Sequence, residues 1–206
     1  MDLITTLGLA FGASWASGIN LYAMVATLGL LGRFAGLELP GELDVATNWW
    51  VIGTAGALYC VEFVADKVPA VDSAWDAIHT FIRVPAGAIV AAAALGDFSP
   101  TIQVVAFLVG GGIALTSHGT KAASRAALNL SPEPVTNIVA SVTEDAIAIG
   151  GTVLAVVAPL VMLVVVAIAV AISLWILPRI YRFLRGAFGT ARSVMRGKRR
   201  PAREDL

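Results

Sequence analysis

Apolar residues come in long blocks, and polar residues mark where the blocks stop. The first block covers residues 3–31, with Ser14, Ser17 and Asn20 interrupting it beside Gly12 and Gly18. A polar loop, GRFAGLELPGELDVATN, follows. The second block opens on Trp49 and Trp50, an interfacial aromatic pair, and ends at Asp66, Lys67 and Pro69. Residues 72–81 (DSAWDAIHTF) have helical spacing but are polar, and 82–96 (IRVPAGAIVAAAALG) are apolar but short, with Pro85 and Gly87 near their start. That pattern predicts a short amphipathic helix followed by a broken or re-entrant half-helix, which survives at membrane depth only when protein surrounds it. A fourth segment over 101–116 extends helically to the stop at SPEP, 131–134, because two close prolines cannot sit inside a helix. Segments five (135–157) and six (160–177) flank a minimal turn at Pro159.

The uncharged run between Asp145 and Arg179 exceeds the roughly 20 apolar residues that cross a bilayer. The chain therefore reads as an all-α, polytopic membrane helical bundle with about six membrane segments. Its 206 residues are 58% hydrophobic and 14% charged, with a mean hydropathy of +0.83. A soluble domain needs more charge than this to cover its surface. The start, MDLITTLGLAFGASWASG, lacks the positive n-region of a secretory signal and reads as a retained first helix.

Charge is partitioned along the chain. Residues 1–178 carry five basic and twelve acidic residues, whereas 179–206 carry nine basic and two acidic. Between Asp145 and Arg179 lie 33 residues without a formal charge. The positive-inside rule makes the arginine-rich end cytoplasmic, and an even count of six segments then places both termini there. The expected organisation is a membrane domain over 1–178, a basic amphipathic juxtamembrane helix over 179–196, and a disordered tail over 197–206. Position favours anionic lipid over nucleic acid as the partner of the tail, and a homo-oligomer stays open.

Ionisable groups within these apolar blocks are the functional candidates. Glu62 and Asp66 are four apart on one helix face and can share a cation or a proton; neutralisation of Asp66 by Lys67 or Arg83 is the alternative. Glu144 and Asp145 lie well inside an uncharged helix and point about 100° apart, so at least one faces the bundle interior; an ion pair with Lys121 or Arg125 is the alternative. Asn20 offers an uncharged ligand at the break in segment one. His118, Lys121 and Arg125 share a polar stripe able to tune the acids, and Asp72, Asp76 and His79 share another, either ligand-compatible or laced to Arg83. No cofactor is implied, and any metal is unknown. Cys60 is the sole cysteine, so it reads as a packing residue. The chain has no GxSxG, HExxH, GxxxxGK or CxxC motif.

A faint duplication pairs residues 14–42 with 114–133, each followed by an acid-bearing helix, as in transporters built from two weakly related halves. The runs SGINLY (17–22), VEFVADKVPAVDSAWDAIHTFIRVPAGA (61–88) and HGTKAASR with NLSPEP and TED (118–145) resemble a bacterial family of integral membrane proteins, the domain of unknown function numbered 4126. The resemblance covers residues 5–178 and implies a small multi-helix inner-membrane protein with no settled activity. EFVADK is also similar to the acidic signature of small cation/proton exchangers, with wider spacing and no base after Glu144-Asp145. The expected function is a small secondary transporter, with proton-coupled cation movement through the acids. The rivals are a membrane scaffold or assembly subunit, and an enzyme or flippase in which Arg83, Lys121 and Arg125 hold a lipid-linked anion.

Overall fold

A computed structural model describes residues 2–130 and 134–197, with side-chain environments for all of these except 69–70, 134 and 187–197. It contains six α-helices: α1 (Leu3–Phe34), α2 (Trp49–Ala65), α3 (Pro69–Ala94), α4 (Pro100–Leu128), α5 (Pro134–Val157) and α6 (Pro159–Gly197). One short 3-10 helix (Leu43–Thr47) precedes α2, and no strand occurs among the described residues. Sequence chemistry sets the helix starts. The Asp2 carboxylate accepts the Thr5 N–H at 2.9 Å and the Asn48 side chain accepts the Trp50 N–H at 2.8 Å. The other four helices open on a proline, whose missing donor costs nothing in the first turn.

Five helices are long and apolar enough to cross a membrane: α1, α3, α4, α5 and α6. The 17 residues of α2 extend about 26 Å, close to the hydrocarbon thickness of about 30 Å. The chain is thus a multi-pass, all-α membrane protein.

The expected break near Pro85 does not occur. α3 runs as one helix of 26 residues with Pro85 inside it. A proline deletes one backbone bond, a loss that packing on neighbouring helices tolerates. Here Gly87 lets α3 press against Ala114 of α4 and Ser17 of α1, and the Ser14 hydroxyl donates to the Gly87 carbonyl at 2.8 Å. The polar first half of α3 fits within the span because Asp72, Asp76, His79 and Arg83 all turn into the bundle and are buried.

The break lies instead in α1, at Asn20, whose backbone is extended (φ −147°, ψ 101°) between two helical halves. Contacts give the direction of each half. Leu3 and Leu7 share a groove with Thr101 and Ile102 at the start of α4, Gly8 packs on Pro159 at the α5–α6 turn, and Gly18 packs on Ala114 and Ser117 farther along α4. The first half therefore runs inward from the face that carries the α3–α4 turn. Past Asn20, Tyr22 reaches His79 in α3, but Gly29 packs on Ala46 and Ile52 beside the start of α2. That connecting segment is tied back to the α3–α4 turn, since the Glu42 N–H donates to the Ala93 carbonyl (2.9 Å) and the Gly41 N–H to the Asp97 carboxylate (3.3 Å). The second half thus returns to the face it came from, and α1 is a re-entrant helical pair with Asn20 at its tip.

With α1 doubling back, α2 to α6 run alternately between the two ends of the bundle, so Asp2 and the far end of α6 lie at opposite ends of it. α1 nonetheless forms the centre of the bundle, with Leu9, Ala10, Ala13, Met24 and Leu28 buried against Ala91, Ala94 and Leu95 of the α3 end. The basic stretch 179–196 continues α6 as helical backbone to Gly197. Its apolar face beyond residue 186 and the tail 198–206 lie outside the described residues. Cys60 is exposed on the outer side of α2 rather than packed.

Candidate functional site

Regular helical spacing delivers the polar groups to one place. Asp72, Asp76, His79 and Arg83 follow each other at steps of four, three and four along α3, and His118, Lys121 and Arg125 at three and four along α4. The two stripes face each other. Glu62 in the last turn of α2, the α2 C-cap Asp66, and Asn137, Ser141, Glu144 and Asp145 of α5 close the ring. The tip of α1 inserts Asn20.

Lys121 is the hub. Its ammonium lies 3.2 Å from Asp66, 3.5 Å from Glu144, 3.6 Å from Glu62 and 3.9 Å from Asp76, with only 2% of the side chain exposed. Carboxylates of Asp66 and Glu144 that share this nitrogen are within about 7 Å of each other. The ammonium also donates to the Ile19 carbonyl at 3.1 Å. That carbonyl ends the first half of α1, where the negative end of the helix dipole favours a cation. Arg83 bridges Glu62 (2.5 Å) and Asp76 (3.2 Å). Arg125 grips Glu144 through Nε and Nη2 at 2.9 and 2.8 Å, and its Nη1 donates to the Asn137 side chain at 2.6 Å.

Asn20 has two tasks at the α1 tip. Its Oδ1 accepts the Ala23 N–H at 2.9 Å, capping the second half of α1, and its Nδ2 donates to Asp145 at 2.9 Å. Asp145 thus belongs to the α1 tip and Glu144 to the ion-pair network, the divergence expected of adjacent helical residues. The Tyr59 side chain of α2 lies beside Asp145.

Hydrogen-bond partners fix the histidine tautomers. His118 Nδ1 faces Arg83 Nη1 at 3.3 Å, which can only donate, so Nε2 carries the hydrogen and donates to the Thr80 hydroxyl at 2.8 Å, with the Asp76 carbonyl at 3.2 Å. His79 donates from Nδ1 to the Trp75 carbonyl (2.8 Å) and meets the Tyr22 hydroxyl with Nε2 (3.1 Å). The His118 ring is therefore neutral in this arrangement, whereas the Tyr22 hydroxyl can donate to or accept from His79. The Asp72, Asp76 and His79 stripe is dispersed: Asp72 accepts from Asn129, Asp76 pairs with Arg83, and His79 stacks on Trp75. Among the described residues no three ligand-type side chains are placed to hold a metal ion.

Of the candidate residues, Glu62, Asp66, Asp76, Glu144, Lys121 and Arg125 are joined in one network, His118 adjoins it through Arg83, and Asn20, Asp145 and His79 sit at its α1 edge. Lys67 does not neutralise Asp66. It donates to the Phe63 carbonyl at 2.7 Å and lies over the Phe63 ring. Asn137 was not singled out from the sequence, although it precedes Ser141 by four and Glu144 by seven, a single helix face in an otherwise apolar stretch.

Acceptors outnumber donors in this interior. Six carboxylates (Glu62, Asp66, Asp72, Asp76, Glu144, Asp145) surround three fixed cations (Arg83, Lys121, Arg125) among the described residues. One oxygen each of Glu62, Asp66, Asp72, Asp76 and Asp145 is buried with no hydrogen-bond partner in the protein, against three groups able to donate, Arg83 Nε, Trp75 Nε1 and the Ser141 hydroxyl. Buried carboxylate oxygens of this kind are costly unless a proton or cation meets them.

No curated protein and no solved structure matches the chain. The family described as "Domain of unknown function (DUF4126)" matches residues 7–179, and with nearly all of the membrane bundle inside that match the chain belongs to this family.

Proposed function

We propose that the protein is a small secondary transporter of the bacterial inner membrane, exchanging a cation for protons through the carboxylate cluster. The observation that carries this reading is the surplus of buried, unpartnered carboxylate oxygens over free donors. A site with spare acceptors takes up protons and cations. Discontinuous α1 adds support: a broken helix whose carbonyl end and capped N–H end meet at the binding level is the arrangement that transporters use to bind ions inside a membrane.

The lipid-linked anion reading is less well supported. All of the Arg125 guanidinium nitrogens are engaged by Glu144, Asn137 and Asp66, and Lys121 is ringed by carboxylates, so few donors remain for a phosphate. The scaffold reading has one observation in its favour, that each fixed cation already contacts at least two carboxylates. Flux separates the two.

For orientation, Lys67, Arg179, Arg182 and Arg185 share one face, while Asp2, Glu38, Glu42, Asp44 and Asp97 share the other with Arg33. The positive-inside rule makes the first face cytoplasmic, which leaves the N-terminus outside and places the basic end of α6 against anionic lipid at about 1 kcal/mol per charge.

The test is proteoliposomes loaded with a pH indicator and exposed in turn to monovalent, divalent and organic cations. Cation-dependent proton movement that disappears in Glu62→Gln is the expected result. Proton movement equal to that of empty liposomes for every cation would overturn the transport reading.

A further inference from the structure

Beside the ion-pair network the bundle holds a cavity of about 330 Å³, at the lower end of small-molecule sites. Its walls are apolar: Trp15 and Ile19 from α1, Ile147 from α5, Ala169 and Ile172 from α6. Ile147 and Ile172 are 42% and 54% exposed on the hydrocarbon-facing surface. The α4 and α5 backbones are bridged by the long side chains of Lys121 and Arg125, which reach Glu144 and Asn137, so the cavity lies in the seam between them, flanked by α1 and α6. Access is therefore sideways from lipid rather than from water.

The polar side of the cavity is formed by α4, α5 and α6. Ser117, Thr120, Ser124 and Ser173 line it with Lys121 and Glu144. Ser117 and Thr120 donate their hydroxyl hydrogens to carbonyls of their own helix, at 3.1 and 2.8 Å, so they present lone pairs to the cavity. The two charges are not equally available. Glu144 is 17% exposed and Lys121 2%, and the ammonium is ringed by four carboxylates. Arg125, the other nearby cation, does not line the cavity. Arg125 holds Glu144 from the side away from the cavity, but Oε1 accepts only from Arg125 Nε (2.9 Å) and keeps a lone pair, so what a ligand meets is that carboxylate oxygen, hydroxyl oxygens and an indole. The Trp15 ring is held against Gly151, where an added Cβ would lie 3.1 Å from it. A rigid indole beside a carboxylate is the chemistry that recognises an organic ammonium.

The geometry points to this cavity as the binding site for an amphipathic organic cation that arrives from the lipid phase, with its charged head at Glu144 and its apolar body between Trp15, Ile147 and Ile172. The assignment names the substrate class of the proposed transporter and so rests on that reading.

The probe is benzyltrimethylammonium, a fixed-charge cation of 11 heavy atoms (about 200 Å³ at about 20 Å³ per atom, below the lower end of typical sites), measured by equilibrium dialysis on the detergent-purified full chain. Saturable binding at one per chain is expected. Trp15→Leu should weaken it roughly tenfold, from the cation–π contribution. Ala169→Phe, which fills the cavity without changing charge, should abolish it, with Ser173→Leu as the second filling variant if the first elutes as aggregate. Absence of saturable binding, binding unchanged by the filling variants, or tighter binding of decyl phosphate at the same site would overturn the assignment. Inorganic cation flux without benzyltrimethylammonium binding removes the substrate class and leaves transport standing. Binding at this site with no proton flux for any cation keeps the site and removes transport.

Discussion

Replacing Lys121 with methionine tests whether the hub holds the network together. The side chain is 2% exposed and its nitrogen lies within 4 Å of four carboxylates, so methionine fills the same space and leaves the acids behind. The cost is unequal among them. Glu62 and Asp76 keep Arg83 at 2.5 and 3.2 Å, and Glu144 keeps Arg125 at 2.8 Å. Asp66 keeps only Arg125 at 4.0 Å, and the Ile19 carbonyl loses its donor. Breaking a buried pair by removing one partner costs about 3–5 kcal/mol. Most of that loss should fall on Asp66, so Lys121→Met/Asp66→Asn should recover at least about half of it, a coupling of about 2 kcal/mol in a double-mutant cycle. Thermal unfolding in detergent reads this as a drop of about 6–20 °C for the single variant, at about 2–4 °C per kcal/mol for a chain of this size. A single-variant loss below about 1 kcal/mol, or a double variant less stable than Lys121→Met, would refute the hub assignment.

Asn20→Ala should cost about 2–4 kcal/mol in the same unfolding measurement, through the lost helix cap and the lost hydrogen bond to a carboxylate; a change within 0.5 kcal/mol, about the size of an ordinary surface effect, would mean the α1 tip is held by packing alone. Single cysteines at positions 2 and 186 in a Cys60→Ser background should react with impermeant maleimide from opposite sides of the membrane, and labelling from one side would refute the re-entrant path of α1. Glu144→Gln should abolish cation-dependent proton movement while the protein stays monodisperse, whereas Arg192→Gln, in the basic segment, should leave it intact; aggregation of Glu144→Gln would instead assign that residue a structural pairing role.

The spans were legible because desolvation of backbone and side chains leaves few options in lipid. The uncharged run between Asp145 and Arg179 can only be a helix crossing with a turn, and the structure turns at Pro159 as the sequence implies. α3 was misread because its polar half and Pro85 each look like reasons to stop. The polar residues are compatible with a span only because α4 supplies Lys121 and His118 opposite them, and that partner lies some 40 residues away. The same non-local register decides that Asp66 meets Lys121 and not its neighbour Lys67. A stripe at helical spacing tells which residues share a face; it does not tell which helix the face will meet.

α1 shows the deeper limit. Its apolar length suffices to cross, its composition is that of a crossing helix, and Ser14, Ser17 and Asn20 mark a break without giving its angle. One residue with extended dihedrals can bend a helix or reverse it, and the outcome depends on what receives the two ends. Here Lys121 receives the carbonyl end and Asp145 holds Asn20, which caps the amide end. Each partner is itself part of the charged interior, so the reversal and the network depend on each other. Removing the charges would leave exposed backbone groups at the tip of α1, and straightening α1 would strip Lys121 of a carbonyl and Asp145 of an amide. A protein that loads and unloads cations at these carboxylates would therefore alter the forces on the α1 tip with each change of occupancy. The re-entrant pair is the element through which binding in the interior would be felt at the end of the bundle where both of its ends lie.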